Sequence, residues 1–512
     1  MKDHHTGDSV KSKHTGDTIT LPDHTIAMAD FESGLRAHWG LQSVLIRLSL
    51  IKDKETIKLG IGLKARHPDP DMLAITATGK TFAELDGMSK EEILGLMSST
   101  ARMKSPYWNP AEGPIHQRQA LIGRYERRFG VKGLQLEQVL FAAGGCSQGL
   151  DNVIGNLFDR NGVVPVDVPC WPGLPPKLVR HGVKPVGMLR CHVSFDANRH
   201  HLAPLIDRGI AGVYVAFPGN PIGLRLTPER LDVLTRTRLW LRDRCIDAGK
   251  RPPIWISDGV YLDQPASTLS LLAGEDPAEV VELYALTKGR LAAGHRDHYE
   301  VVGRSSALIR YVAQQARDGL SGNVGWHYPD AHAYLIDDSH GFLSRERELD
   351  AAAGLAFDLA IKGVPGLSID EAVDDQYRYV HCQFPEDGPD SEDWKRWSML
   401  NCAANGTTWV DWVPGVYFNH PVLMREMGIR NHEVDGIRTI MAYAPEIMDR
   451  AGRLIAESWR DWCESGFLVV PGWDDCILLL ENGVTPQQIL AGSADGSIEG
   501  VIDGIKAKAA SA

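Results

Sequence analysis

The sequence predicts an α/β protein whose larger domain has a mostly parallel β-sheet covered by helices. Three observations lead to this prediction. Short β-rich runs alternate with amphipathic stretches from about residue 137, motif residues directly follow several of these runs, and the pattern changes after about residue 325. Alternating strands and helices are typical of a parallel sheet with helices on both faces. The residues after 325 predict a smaller α+β domain.

The predicted elements of the larger domain follow one another closely. The strands are 139–143, 162–166, 211–217, 254–257 and 281–286. One helix is predicted from Ser147 to Phe158. Another begins with Thr227 as its N-cap and Pro228 at its first position, which is a common start for a helix. Four apolar residues of this second helix share one face: Leu231, Leu234, Leu241 and Cys245.

The organisation outside this region is predicted from composition and periodicity. Residues 325–420 are rich in Asp, His, Trp and Gly and are interpreted as an unusual insertion in the smaller domain. A long helix is predicted at about 433–463, a strand and turn at 466–473, and a last helix from about 493. The expected divisions are a disordered leader at 1–30, an N-terminal arm at 31–75, a large domain at 76–325 and a small domain at 326–512.

Composition argues against several classes of protein. The chain has 512 residues and a net charge of −12, so nucleic acid is not expected as a partner. No apolar run approaches the roughly 20 residues of a membrane span, and the N-terminus has no signal-peptide core. The 8 cysteines include no CxxC pair and the 19 histidines no HExxH motif. We therefore expect a cytoplasmic protein without a metal site.

Lys288 is the first candidate catalytic residue. It closes an apolar run, with Gly294 six residues and Arg296 eight residues further on. A lysine at the edge of a core loses solvation, which favours the neutral amine that forms Schiff bases with aldehydes. A nearby arginine can bind phosphate through paired hydrogen bonds. Pyridoxal phosphate (PLP) carries both an aldehyde and a phosphate.

Other polar or aromatic residues also follow predicted strands. The glycine-rich turn at 144–149 leads into a helix, whose N-terminal N–H groups can bind a phosphate. Trp171 can stack on an aromatic cofactor, and Asn220 can donate to a phenolate oxygen. Asp258 can keep a pyridine nitrogen protonated, which makes the ring an electron sink, and Tyr261 lies three residues on. Singly, each residue has an ordinary explanation as a turn, core or surface residue; together they predict a cofactor site at the strand ends.

These residues resemble those of the fold type I PLP-dependent enzymes, specifically the class I/II aminotransferase family. The stretch 145–148 is similar to the family's phosphate loop, and Asn220-Pro-Ile-Gly resembles its Asn-Pro-Thr-Gly. Asp258-Gly-Val-Tyr resembles its Asp-Glu-Val-Tyr. The spacing of Lys288, Gly294 and Arg296 resembles its Schiff-base motif. Order and rough spacing agree from about residue 107 to 300.

The resemblance implies catalytic roles for three residues. Lys288 would form the aldimine with PLP and move a proton between the substrate α-carbon and the cofactor, through a carbanion (quinonoid) intermediate. Asp258 would pair with the pyridinium nitrogen, and Tyr261 would hydrogen-bond the ring oxygen.

The resemblance also implies the remaining cofactor contacts. Asn220 would bond the ring oxygen and Trp171 would stack on the ring. The phosphate would be held by Gly145, Cys146, Ser147, Thr287 and Arg296. Trp108, or alternatively Tyr107, would reach the phosphate of a neighbouring subunit, because the family usually forms homodimers with shared active sites.

One feature of the family is missing where it was expected. Members usually carry an arginine on a late strand, and this arginine binds the substrate α-carboxylate through two bonds. The corresponding region is expected after Val469, but no arginine follows Arg460 in the sequence. Arg378, Arg430 and Arg438 are open alternatives.

Three functions are compatible with the cofactor residues. The resemblance implies an enzyme that acts on an α-amino acid, first of all an aminotransferase. The alternative is a PLP-dependent lyase, cyclase, decarboxylase or oxidase of specialised metabolism, since these reactions use the same cofactor contacts. A PLP-sensing regulator is disfavoured, because such a protein needs a basic DNA-binding surface, and this chain is acidic.

Overall fold

The structure is a computed structural model of the chain. It describes residues 9–11, 18–20, 39–59, 80, 82–85, 87–89, 91–93, 111–142, 144–188, 193–224, 226–261, 280–285, 299–319, 342–369, 376–386, 388–441 and 443–511. The chain divides into two compact units. The large unit comprises Leu63–Asp167 and Lys177–Asp350, and the small unit comprises Met1–Gly62, Val168–Pro176 and Ala351–Ala512.

The described β-strands are numbered in chain order. They are β1 Ser9–Lys11, β2 Thr18–Thr20, β3 Ile57–Lys58, β4 Val139–Ala142, β5 Val163–Asp167, β6 Lys184–Met188, β7 Gly212–Ala216, β8 Ile254–Asp258, β9 Val280–Tyr284, β10 Tyr299–Gly303, β11 Leu367–Ile369, β12 Tyr377–Cys382, β13 Val410–Asp411, β14 Val413–Pro414 and β15 Gly436–Ile440.

The described α-helices of seven or more residues are numbered in the same way. They are α1 39–47, α2 Ile115–Phe129, α3 Cys146–Leu157, α4 Leu174–Arg180, α5 Phe195–Ile206, α6 Pro228–Asp247, α7 Ser306–Gly319, α8 Phe342–Ile361, α9 Ser391–Asn405, α10 Pro421–Met427, α11 Pro445–Glu464, α12 Trp473–Glu481, α13 Pro486–Asp495 and α14 Ile498–Ser511.

The large unit is built on a mostly parallel sheet. Its strand order is β4-β10-β9-β8-β7, in which β7, β8 and β9 are parallel and β10 is antiparallel to both of its neighbours. A parallel pair, β5 and β6, is linked to the start of β7 through a bridge between Val163 and Ile210. The predicted α/β fold class is confirmed. Strands β6 and β10 were not predicted.

Helices cover this sheet because each has one apolar face. Helix α6 begins as predicted, with Pro228 at its start and the hydroxyl of Thr227 accepting a hydrogen bond from the N–H of Arg230. Helix α2 contributes apolar residues to the same core as α6 and the strands. The strands β8 and β9 are buried along their whole length, as expected for a sheet covered on both faces.

The small unit contains an antiparallel sheet in the order β11-β12-β15-β14. Aromatic side chains fill its core: the rings of Trp394 and Trp412 have centroids 4.7 Å apart, and Trp394 also stacks on Trp462 at 6.2 Å. The parallel pair β3 and β13 joins the segment before residue 59 to this unit. The tryptophans of residues 394–473 therefore form a structural core.

Two predictions for the small unit were correct only in part. The helix predicted at 433–463 is a buried strand, β15, followed by helix α11, which begins at Pro445. The strand predicted at 466–473 is irregular from residue 468 to 472, and helix α12 then begins at Trp473. The spacing of Trp473, Cys476 and Leu480 places them on one buried helix face. The helix predicted from about residue 493 is present as α14, which begins at Ile498, and helix α13 before it was not predicted.

The first residues contain a short antiparallel ladder. Strands β1 and β2 pair within the segment that was predicted to be a disordered leader. Among the residues that the structure describes, no helix is long and apolar enough to span a membrane, and no cluster of three or more His, Cys, Asp or Glu side chains is suited to a metal ion.

Candidate active site

The turn after β4 is shaped for an anion. Gly144 and Gly145 have φ angles of +117° and +75°, and a Cβ atom at Gly144 would lie 2.8 Å from the Cβ of Gln148. Glycine is therefore required for the chain to enter α3 at this angle. The first N–H groups of a helix have no partner within the helix and carry the positive end of its dipole. This geometry suits the phosphate site predicted from the sequence, and that site stays a prediction.

Asp258 ends strand β8 and is buried. Its Oδ1 accepts hydrogen bonds from the N–H of Val260 at 3.1 Å and the thiol of Cys146 at 3.5 Å. Its Oδ2 accepts one from the hydroxyl of Tyr214 at 2.7 Å. Burial raises the pKa of Asp258, and these donors oppose the rise because they favour the charged form.

The turn and the carboxylate lie side by side. The 3.5 Å contact between Cys146 Sγ and Asp258 Oδ1 places the N-terminus of α3 next to the end of β8. The sheet explains this proximity: β4 is antiparallel to β10, which is antiparallel to β9, so β4 runs in the same direction as β8. The glycine turn and a buried carboxylate therefore meet at the carboxyl ends of β4 and β8.

Asn220 and Tyr261 follow strands β7 and β8 at the same edge. Asn220 is half-buried in a turn closed by a 2.8 Å hydrogen bond from the N–H of Gly223 to the carbonyl of Gly219. Tyr261 is buried. Their predicted bonds to a ring oxygen stay predictions.

Four predicted site residues lie outside the described part of the chain: Trp108, Thr287, Lys288 and Arg296, together with the alternative Tyr107. Strand β9 is the last described element before Lys288 in the sequence. In β9, Leu283 pairs with Asp258 of β8, and the described residues end at Ala285. Strand β9 thus ends at the same end of the sheet as Asp258.

Within the small unit, the residue before Trp171 is hydrogen-bonded to Phe418, and the ring of Phe418 lies next to Arg438. Trp171 is half-buried, and the N–H of the preceding Cys170 donates a 3.1 Å hydrogen bond to the carbonyl of Phe418. The ring centroid of Phe418 lies 5.4 Å from the guanidinium carbon of Arg438, and the ring of Tyr377 lies 5.3 Å from it.

The three candidate arginines have different surroundings. Nε of Arg378 donates a 2.7 Å hydrogen bond to Asp358, and the exposed Arg430 pairs with Glu386. Arg438 is buried in the middle of β15, between β12 and β14. Arg438 therefore lies on a late strand of the small unit, β15, upstream of the region after Val469 in which the carboxylate-binding arginine was expected. Which arginine binds the substrate carboxylate stays a prediction.

The overall fold matches solved structures of aminotransferases. An alanine aminotransferase from Pyrococcus furiosus has a TM-score of 0.63 at 16% identity, over 86% of this chain and 100% of the other. An aromatic aminotransferase from Pyrococcus horikoshii has a TM-score of 0.59 at 17% identity, over 82% and 99%. An aminotransferase from Staphylococcus aureus has a TM-score of 0.58 at 17% identity, over 79% and 94%.

The chain has the aminotransferase fold. The similarity is one of fold, because identities are 16–17%. No protein-family model and no curated protein matches the sequence. The fold class inferred from the strand-end motifs is confirmed by these structures.

In this aminotransferase fold, the residues at the carboxyl ends of the strands suit PLP. A phosphate requires donors such as the N-terminus of α3, and a protonated pyridine nitrogen requires a buried acceptor such as Asp258. The contact between Cys146 and Asp258 places both within reach of one small ligand. Sequence reasoning missed Tyr214. Only the strand register shows that Tyr214 is close to Asp258: Ala216 pairs with Asp258, and Tyr214 lies two residues earlier on the same strand.

Proposed function

We propose that this protein is a PLP-dependent aminotransferase that acts on an α-amino acid. The observation that carries the proposal is the contact of the α3 N-terminus, at Cys146, with Asp258. It supports a ligand that has a phosphate and a basic ring nitrogen close together. The aminotransferase fold supports the same class of reaction.

Residues of the large unit have separate roles in binding the cofactor and in moving protons. When bound, PLP supplies an electron sink that stabilises negative charge at the α-carbon of an amino acid. Asp258 holds the proton on the ring nitrogen. Asn220 and Tyr261 bind the ring oxygen. Lys288 supplies the amine that binds the cofactor aldehyde, and the same amine moves a proton at the substrate α-carbon.

The remaining contacts position the ring and its phosphate. Trp171 stacks on the ring. The phosphate is held by the backbone and side chains of Gly145, Cys146, Ser147, Thr287 and Arg296. Trp108 reaches the phosphate site of a second copy of the chain, so the active enzyme is a homodimer with shared sites. The scattered cysteines support a cytoplasmic location.

Arg438 is the residue that we assign to the substrate α-carboxylate. It lies at the centre of β15, and the segment containing Phe418 connects its surroundings to the loop that carries Trp171. A buried guanidinium between two aromatic rings has a restricted orientation, which favours a two-bonded contact with a carboxylate.

A cofactor experiment tests the proposal. Purified protein mixed with PLP should develop the visible absorbance band of lysine-bound pyridoxal, which borohydride abolishes. Lys288→Ala should lack this band, and Lys250→Ala, which removes an exposed lysine, should keep it. Absence of the band from the unmodified protein would overturn the proposal.

A second measurement separates transamination from other reactions. Addition of amino acids should convert the cofactor to its pyridoxamine form, with release of the matching keto acid. Release of ammonia, carbon dioxide or a side-chain fragment, with the aldehyde form regenerated, would show a different PLP reaction instead.

A further inference from the structure

Tyr214 reaches Asp258 across the sheet. In the parallel pair β7 and β8, Tyr214 lies opposite Ile256, and Ala216 lies opposite Asp258. Residues two apart on a strand share a face, so Tyr214 and Asp258 are diagonal neighbours on the same face. The hydroxyl of Tyr214 donates a 2.7 Å hydrogen bond to Oδ2 of Asp258, and both side chains are buried.

This hydrogen bond differs from the other two that Asp258 accepts. Val260 and Cys146 donate to Oδ1 at 3.1 and 3.5 Å, whereas Tyr214 donates to Oδ2. Donors on both oxygens restrict rotation of the carboxylate. The Tyr214 bond is also the shortest of the three, and hydrogen bonds to a charged acceptor are stronger than neutral ones.

The charged form of Asp258 depends on such donors. Burial raises the pKa of Asp258, and among the groups that lower it the Tyr214 hydroxyl has the largest effect. A carboxylate oxygen has room for two donors, so Oδ2 can accept from Tyr214 and from a ring N–H together. Loss of the hydroxyl would leave a buried carboxylate less able to stay ionised beside a ring nitrogen.

We propose that Tyr214 is a positioning residue that holds Asp258 ionised and oriented toward the ring nitrogen of bound PLP. The inference rests on the proposed function, since it requires that the ring nitrogen lies against Asp258. Tyr214 does not touch the reacting atoms; it sets how strongly the ring withdraws electrons by acting through Asp258.

The test compares the unmodified protein with Tyr214→Phe and follows the visible absorbance of the lysine-bound cofactor as the pH is varied. Positive charge on the ring nitrogen disfavours a proton on the nearby imine nitrogen. A weaker Asp258 interaction lessens that charge, so we expect the titration midpoint of Tyr214→Phe to rise by about 1 pH unit. Tyr299→Phe, which alters another buried tyrosine of the same sheet, should leave the midpoint unchanged.

A cofactor analogue isolates the ring nitrogen. Tyr214→Phe should bind PLP about tenfold more weakly, because one charge-assisted hydrogen bond in the Asp258 site is lost. With 1-deaza-pyridoxal phosphate, which has carbon in place of the ring nitrogen, the two proteins should bind equally. An equal loss of affinity for both ligands would mean that Tyr214 only supports the structure, and would overturn the inference.

The failure of this inference and that of the proposed function can be told apart. If the unmodified protein forms no lysine-bound cofactor, the proposed function fails. If it does, and Tyr214→Phe has the same midpoint, only the role of Tyr214 fails. Should Tyr214→Phe not fold, site-specific incorporation of a fluorinated tyrosine at position 214 provides a stronger donor of similar size, which should lower the midpoint; no change would overturn the inference.

Discussion

The ammonium group of Lys395 lies 2.8 Å from Oδ1 of Asp411, and their side chains are only 1% and 4% exposed. The same ammonium group donates to the carbonyl of Trp412 and lies 5.7 Å from the ring centroid of Trp409. Burial lowers the pKa of Lys395, and the Asp411 carboxylate opposes this shift. The pair therefore links helix α9 to strand β13 by a buried charge interaction.

Removal of one partner should be costly. Lys395→Met leaves Asp411 as an unpaired buried carboxylate, which we expect to reduce the free energy of unfolding by about 3 kcal/mol. Thermal unfolding followed by tryptophan fluorescence would measure the loss. The double variant Lys395→Met/Asp411→Leu should recover much of it, because no charge is left unpaired. If the double variant were less stable than both single variants, the effect would come from lost packing.

Asp435 should make the stability of the small unit depend on pH. Burial, with the nearby Asp390 carboxyl group, raises the pKa of Asp435 to about 8, although Ser391 and Gly436 donate hydrogen bonds to it. An unfolded aspartate has a pKa of about 3.9. Between these values the folded protein binds a proton that the unfolded chain has released. Stability should therefore fall as the pH rises through this window, by up to about 1.4 kcal/mol per pH unit.

Thermal midpoints between about pH 5 and about pH 8 would measure this slope. Asp435→Asn cannot titrate, so its midpoint should fall less steeply than that of the unmodified protein. Asp503→Asn, a change at an exposed position of the same unit, should keep the original slope. Equal slopes in all three proteins would show that Asp435 is not the group responsible.

Arg438→Lys should impair substrate binding more than cofactor binding. Lysine keeps the charge but cannot form two parallel hydrogen bonds to one carboxylate. We expect KM for the amino acid to rise by about 10- to 100-fold, the equivalent of one charge-assisted hydrogen bond or two, with PLP affinity unchanged. Steady-state kinetics and PLP titration would measure both.

The matched control is Arg430→Lys, an exposed arginine that pairs with Glu386. It should retain the original KM. A raised KM in Arg430→Lys together with a normal value in Arg438→Lys would reassign the carboxylate contact.

Gly113→Ala should destabilise the large unit. Gly113 has a φ angle of +91°, and a Cβ atom there would lie 2.2 Å from the carbonyl oxygen of Phe141 in β4. We expect a loss of about 3 kcal/mol, from the unfavourable φ and from displacement of the buried strand β4. Gly133→Ala has a similar φ of +72° but an open surrounding, so it should cost only about 1 kcal/mol. Urea unfolding would measure both free energies of unfolding. If the two variants lost equal stability, the clash with Phe141 would add no measurable cost.

The elements of the large unit could be predicted because local physics determines them. Apolar runs in β8 and β9 are buried on both faces, and Thr227 with Pro228 marks the start of α6 without any distant contact. The glycine turn before α3 and the position of Asp258 at a strand end are also local features. These features sufficed to indicate the fold and the kind of cofactor site.

Strand β15 could not be predicted because its neighbours define it. Residues 436–440 precede a long amphipathic helix, and the sequence predicts that this helix includes them. Pairing with β12 and β14 supplies the ladder hydrogen bonds that make the segment a strand. With the strand misplaced, Arg438 could not be preferred over Arg378 or Arg430.

The sequence by itself determined the α/β class, the strand-end turn before α3 and the candidate roles of Lys288 and Asp258, since each depends on residues close together in the chain. Only the tertiary structure decided that Cys146 and Tyr214 both reach Asp258. These contacts join β4, β7 and β8, which lie far apart in sequence, and sheet order and register alone bring their side chains within hydrogen-bonding distance.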